Sequence, residues 1–196
     1  MPMLTEQEMK LRTKNPILIC VDIQLGFLEE DYWGGNRNNK NAEEVCAQII
    51  EKWREIGAEV IHVRHSSTNP KSKLHKRYKG FNFNPLCSPK EGEIVLTKSV
   101  NSCFVGTNLK QILDDKKCET VVIIGLTTDH CVSTTTRMAG NYGFNTFLIS
   151  DATATFDKIG INGEKYNSEL MHFSALASLK DEFANVISSN ELFKLL

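Results

Sequence analysis

The chain has 196 residues and a mass of 22.1 kDa, a length that one hydrophobic core organises. Hydrophobic residues make up 41% and charged residues 24%, which excludes a fibrous repeat and a disordered polymer. With 23 Lys+Arg against 24 Asp+Glu the formal charge is -1, so no global field recruits nucleic acid or an anionic membrane surface.

Residues 1–14 are polar and charged, with no apolar signal segment, and no later run approaches the roughly 18 apolar residues of a membrane span. A cytoplasmic, reducing location is therefore expected, with a polar extension over 1–14 and a single domain over 15–196. The six cysteines, Cys20, Cys46, Cys87, Cys103, Cys118 and Cys131, form no Cys-x-x-Cys pair and no zinc-finger spacing. Free thiols are the expected state.

Short apolar runs alternate with helical patterns along the chain. Residues 16–22, from Pro16 to Asp22, read as a strand buried on both faces. Over 41–56 the spacing of Val45, Ile49, Ile50, Trp53 and Ile56 predicts a helix that Gly57 stops. Strands follow at 59–64 and 94–98, and Leu109, Ile112 and Leu113 mark a short helix. The run 120–125 is the clearest strand, with a helix predicted over 129–141 up to the breaker Gly140. A strand over 144–150, a helix over 166–178 and a strand over 184–188 complete the alternation. Six strands alternating with helices predict a three-layer α/β/α Rossmann-like fold around a mostly parallel sheet. The segment 65–92 is too long for a plain connection. Its Lys71, Lys73, Lys76, Arg77 and Lys79 suit a solvated loop or a lid that recruits an anionic substrate.

Ligands of such sheets bind at the carboxyl ends of the strands. Asp22 ends the first strand, Lys98 the third, and Cys131 follows the fourth at the start of its helix, so all three are predicted to face one crevice. A thiol beside a cation and a helix N-terminus is a plausible nucleophile, and a carboxylate beside it can carry its proton. Taken singly, Asp at a strand end also serves as a turn residue and an isolated Cys as core packing. The other five cysteines carry no such context and read as packing. Asp22-Ile-Gln-Leu-Gly26 lacks the G-x-G-x-x-G dinucleotide fingerprint, so no nucleotide cofactor is expected.

Three separated segments resemble one known family. Val121 to Val132, VVIIGLTTDHCV, is similar to the nucleophile segment of the isochorismatase-like cysteine hydrolases, which include nicotinamidases and N-carbamoylsarcosine amidases. Ile19 to Phe27 resembles their first strand with its acid, and Lys98 to Leu109 their lysine strand and turn; similarity continues through 150–154 and 172–192. The resemblance implies Cys131 as nucleophile, Asp22 as proton shuttle and Lys98 as the cation between them. It also implies a cis peptide at Leu126-Thr127, an oxyanion hole from the backbone amides of Thr127 and Cys131, and substrate contacts at Gln24 and Phe27; core packing explains Phe27 equally well. The implied reaction is hydrolysis of a small carboxamide or ureido compound through a thioester, without a cofactor, by a homo-oligomer (dimer or tetramer). The family's metal-binding Asp-x-His pair is missing, since Arg64-His65-Ser-Ser-Thr68 stands in its place. His62 and His65 lie an odd number of strand positions apart and point to opposite faces, so no metal is expected. Vinyl-ether hydrolysis and a non-catalytic thiol-redox role on the same fold are the alternatives.

Overall fold

The computed structural model describes Leu11 and residues 14–196; the rest of the predicted 1–14 extension lies outside the described residues. Leu11 departs from that polar reading, because it is buried in the core beside the first strand.

Six strands form one parallel sheet: β1 (Ile17–Val21), β2 (Val60–His65), β3 (Ile94–Lys98), β4 (Thr120–Leu126), β5 (Asn145–Ala154) and β8 (Asn185–Ile187). A two-stranded hairpin, β6 (Lys158–Ile159) with β7 (Lys165–Tyr166), stands apart and was not visible as strand periodicity. The sheet order is β3-β2-β1-β4-β5-β8. The chain winds outward in one direction from β1 and in the other from β4, so the order reverses between these two strands. The crevice of such a sheet opens there, at the strands' carboxyl ends.

Layering follows from alternation along each strand. Ile17, Ile19, Val21, Val121 and Ile123 point to a core shared with Leu109, Leu113, Ala139 and Leu176 of α3 (Leu109–Asp115), α4 (Ser133–Asn141) and α5 (Ser168–Leu179). Leu18, Cys20, Val122 and Ile124 face the opposite layer, α2 (Ala42–Glu55) and α6 (Ser189–Leu195). Trp53 of α2 is fully buried there, and its Nε1 donates to Pro16 O at 3.1 Å. That bond satisfies the indole donor, while the ring supplies apolar area whose truncation to Ala costs about 3–5 kcal/mol. β3 lies at the sheet edge, and its residues alternate between exposed and covered until Lys98.

Two differences from the sequence reading bear on the site. β5 runs to Ala154 because the β4 pairing shifts register between Ile123 and Gly125, which lets Thr153 and Ala154 continue opposite Gly125 and Leu126. Cys131 does not open an α-helix: a turn of π-helix over Thr128–Val132 precedes α4 and contains it. Such turns commonly mark functional sites.

Candidate active site

The closest backbone approach in this region is set by Gly125. Its φ is +125°, and a Cβ there would fall 1.9 Å from Val21 O, so only glycine lets β4 pass the end of β1. One peptide beyond Gly125–Leu126, the Leu126–Thr127 bond is cis. On the other side of the crevice Asp22 leaves β1 with φ 51°, in the left-handed region that Asp tolerates better than most residues.

These two turns and β3 bring the predicted triad together. Lys98 is in register with His65 of β2, and its side chain reaches past that histidine to Asp22. Lys98 Nζ donates to Asp22 Oδ2 at 2.5 Å and lies 3.3 Å from His65 Nδ1. Both side chains of the ion pair are 0% exposed. Donor atoms of Asp22, His65 and Cys131 lie within 4.8 Å of one another. The second carboxylate oxygen, Asp22 Oδ1, is buried without a hydrogen-bond partner among the described residues. Leaving such an acceptor unsatisfied costs about 1–3 kcal/mol, so an unpartnered buried oxygen asks for a reason.

Burial pushes the Cys131 thiol well above its ordinary range, and the Asp22 carboxylate pushes it the same way, against the opposing pull of Lys98. The resting state is therefore a thiol beside a carboxylate and an ammonium. Desolvation and the neighbouring acid outweigh the pull of Lys98. Burial lowers the Lys98 ammonium, but Asp22 together with the neighbouring Cys131 and Cys103 outweighs it and the net direction is up. His65 is lowered by burial and by Lys98, which leaves a neutral imidazole facing the ammonium.

The trio of Asp22, His65 and Cys131 has the donor types of a metal site. The Lys98 ammonium already stands among them, however, and a metal ion would have to share that space with a second buried positive centre. His62, the other histidine of β2, points away from the trio and pairs with Glu93 at 2.9 Å.

Cys131 opens into a cavity of about 200 Å3. Asp22 and Lys98 are buried outside it, while Thr127 and Cys131 line it. Phe27 and Trp33 contribute aromatic surface, with ring centroids 4.8 Å apart and Phe156 stacked on both at 6.3 and 6.2 Å. His65, Asn101, His130 and Lys158 supply polar lining, and Ser67, Ser72 and Leu74 come from the long basic segment. Sequence reasoning missed Trp33, which ends the single-turn helix α1 (Glu30–Trp33), and Asn101, His130 and Lys158; each belongs to an element too short to show a period or to a turn. Trp33 lines the cavity and donates from Nε1 to Gly26 O at 2.8 Å.

Gln24 does not reach this cavity. It is fully buried, donating from Nε2 to His65 O at 3.1 Å and Phe81 O at 2.9 Å while Oε1 accepts from His65 N at 2.8 Å. Its amide is consumed in fastening the long segment to β2, so its role is positional. Gly80 reinforces that seam, since a Cβ there would meet Lys73 O at 2.4 Å and Gly26 Cα at 2.8 Å. The segment is thus anchored at both faces: Arg64 packs over Phe81 at 4.3 Å, Ser67, Ser72 and Leu74 face the cavity, and Lys71, Lys76, Arg77 and Lys79 are exposed.

Among known proteins, the isochorismatase domain family model matches residues 16–191. The chain is 47% identical to the isochorismatase family protein YrdC of Bacillus subtilis, covering 89% of this chain and 92% of that protein. A crystal structure of an isochorismatase-family protein from Chromobacterium violaceum superposes with a TM-score of 0.89 at 34% identity, covering 95% of this chain and 96% of that one. N-carbamoylsarcosine amidase from Thermoplasma acidophilum superposes with a TM-score of 0.70 at 25% identity, covering 89% and 96%. No helix among the described residues is long and apolar enough to cross a membrane.

Proposed function

Since the chain belongs to the isochorismatase domain family, we propose that it is a cysteine-dependent hydrolase of a small carboxamide or ureido compound, acting through a thioester. One observation carries this reading: a buried carboxylate whose Oδ2 is held by Lys98, whose Oδ1 is left without a partner, and which has the Cys131 thiol within 4.8 Å. A proton acceptor kept free beside a thiol that burial holds protonated suits a step in which the proton leaves as sulfur attacks. The amidase among the relatives supports the bond type. The cavity, about 200 Å3, is below the roughly 300–1,000 Å3 of sites for drug-sized ligands and supports a small substrate.

Asp22 takes the thiol proton while Cys131 Sγ bonds to the carbonyl carbon, and the carbonyl π pair moves onto oxygen. The backbone amides of Thr127 and Cys131 receive this oxyanion. Thr127 O accepts from the N–H groups of His130 and Val132 and not from that of Cys131, which suits this role. Removing one such donor typically costs ~10²–10³ in rate. Collapse breaks the C–N bond, and Asp22 returns its proton to the departing nitrogen. Water then gives a proton to Asp22 as its oxygen attacks the thioester, and the thiol is regenerated as the carboxylic acid leaves. One water is consumed for each ammonia or amine released. Lys98 stays charged throughout and holds Asp22 in place.

A homo-oligomer is part of the same proposal. Ile159, Ile161, Leu170 and Phe173, on the β6–β7 hairpin and α5, are exposed, which suits a face covered by another copy. The catalytic reading is tested by ammonia release from a panel of small amides. Wild type is expected to turn over at least one that Cys131→Ala does not; equal activity of the two proteins overturns the nucleophile.

A further inference from the structure

We propose that the substrate carries a carboxylate in addition to its scissile carbonyl, and that Lys158 is the residue that selects for it. The inference rests on the hydrolase reading only for the placement of the scissile group at Cys131.

Lys158 begins the β6–β7 hairpin, and its side chain, 25% exposed, lines the same cavity as Cys131 and Thr127. Two lysines stand near this crevice, and they differ in what they already hold. Lys98 is committed to Asp22, buried outside the cavity. The Lys158 ammonium makes no hydrogen bond among the described residues; its nearest acid, Asp129 Oδ2, is 3.8 Å away, beyond hydrogen-bond distance. The other oxygen of Asp129 accepts the Thr155 hydroxyl at 2.5 Å, and Oδ2 also lies 3.7 Å from His130 Nε2. Asp129 therefore holds the ammonium over the turn that carries Cys131 without satisfying its donors. An ammonium offers three donors and no acceptor, and here they belong to a half-buried side chain at the wall of the cavity that Cys131 lines. A carboxylate takes such donors in short, charge-assisted bonds, about twice as strong as neutral ones.

The charge balance sets the valence of the group. No arginine among the described residues lines the cavity, and the remaining polar lining groups, among them Asn101, Ser67 and Ser72, are neutral. One available cation with an acid behind it matches a monoanion; a doubly charged phosphate would lack a second cation and meet Asp129. Phe27 and Trp33 offer apolar surface to the carbon skeleton between the two functional groups. A short amic acid has this layout, with an amide at one end, a carboxylate at the other and a few carbons between.

The test compares succinamate with succinamide, which share a skeleton and differ in one carboxylate. Calorimetric binding is measured on Cys131→Ser, so turnover plays no part. Succinamate is expected to bind tenfold or more tighter than succinamide. Adding Lys158→Met should reduce that preference below threefold, and Lys158→Arg should keep it. Equal binding of the two compounds, binding of neither, or a preference that survives Lys158→Met overturns the proposal. The two readings fail separately: if wild type releases ammonia from no amide while Cys131→Ser still prefers succinamate through Lys158, the hydrolase reading falls and the carboxylate site stands.

Discussion

Replacing Lys98 with methionine removes one charge from a pair whose two side chains are both 0% exposed and leaves the volume nearly unchanged. At 2.5 Å and an effective dielectric of about 20, the attraction lost is on the order of 7 kcal/mol. The ammonium no longer has to be desolvated in the variant, and that recovery offsets part of the loss. What remains is a carboxylate buried alone, with Oδ1 already unpartnered and Oδ2 newly so. Breaking a buried pair at one end typically costs about 3–5 kcal/mol, and Lys98→Met is expected to lose that much in urea unfolding at neutral pH. Asp22→Leu combined with Lys98→Met removes both charges, and replacing a buried pair by apolar groups is often close to neutral. The double variant should therefore recover at least about 2 kcal/mol relative to Lys98→Met alone, a coupling that a double-mutant cycle isolates. The same substitution removes the neighbouring charge that lowers the Cys131 thiol, so alkylation of Cys131 in Lys98→Met should need a higher pH than in wild type. A loss below about 1 kcal/mol for Lys98→Met, or a double variant as unstable as the two single losses added together, would refute the reasoning.

Two further outcomes follow from the same neighbourhood. Gly125→Ala places a Cβ 1.9 Å from Val21 O at φ +125°, and should cost at least about 3 kcal/mol or leave no folded protein; Gly143→Ala, with φ +84° and open space around it, should cost only about 1–2 kcal/mol, and similar losses at both sites would show that the β1–β4 approach is not the constraint. His172, buried and bonded to Thr128 Oγ1 at 2.9 Å, is lowered by burial from its ordinary value to about 4. The unfolded chain takes up the imidazolium proton near pH 6.5 and the folded protein only near pH 4, so this histidine contributes stability above pH 6.5 that is lost as pH falls toward 4, on the order of 3 kcal/mol in all. Chemical denaturation of wild type and His172→Gln at pH 7 and pH 4.5 checks this: the variant should show a smaller acid loss, and parallel losses would remove His172 from that role.

Much of the fold is legible in the sequence because buried parallel strands leave a strong local trace: the apolar runs at 17–21, 60–63 and 120–126 are buried on both faces, and the stripe of α2 recurs at helical spacing up to Gly57. The positions of Asp22, Lys98 and Cys131 at strand ends were likewise open to argument from a parallel sheet alone. The later part of β5 was not, since it depends on a register shift against β4, and the β6–β7 hairpin is too short to show a period.

At the site the division is sharper. Residue type and order along the chain were enough to nominate an acid, a cation and a thiol at the mouth of one crevice, because the alternation of elements dictates which ends meet. Tertiary structure alone decided the electrostatic state of that thiol, since burial and the distance to Asp22 act through space and carry no local signature. It also decided that Gln24 is a clamp, that Trp33 belongs to the cavity, and that Lys158, 27 positions beyond Cys131 in the chain, stands beside its turn. Desolvation and long-range proximity are properties of the packed molecule, and a linear pattern can only propose the groups on which they act.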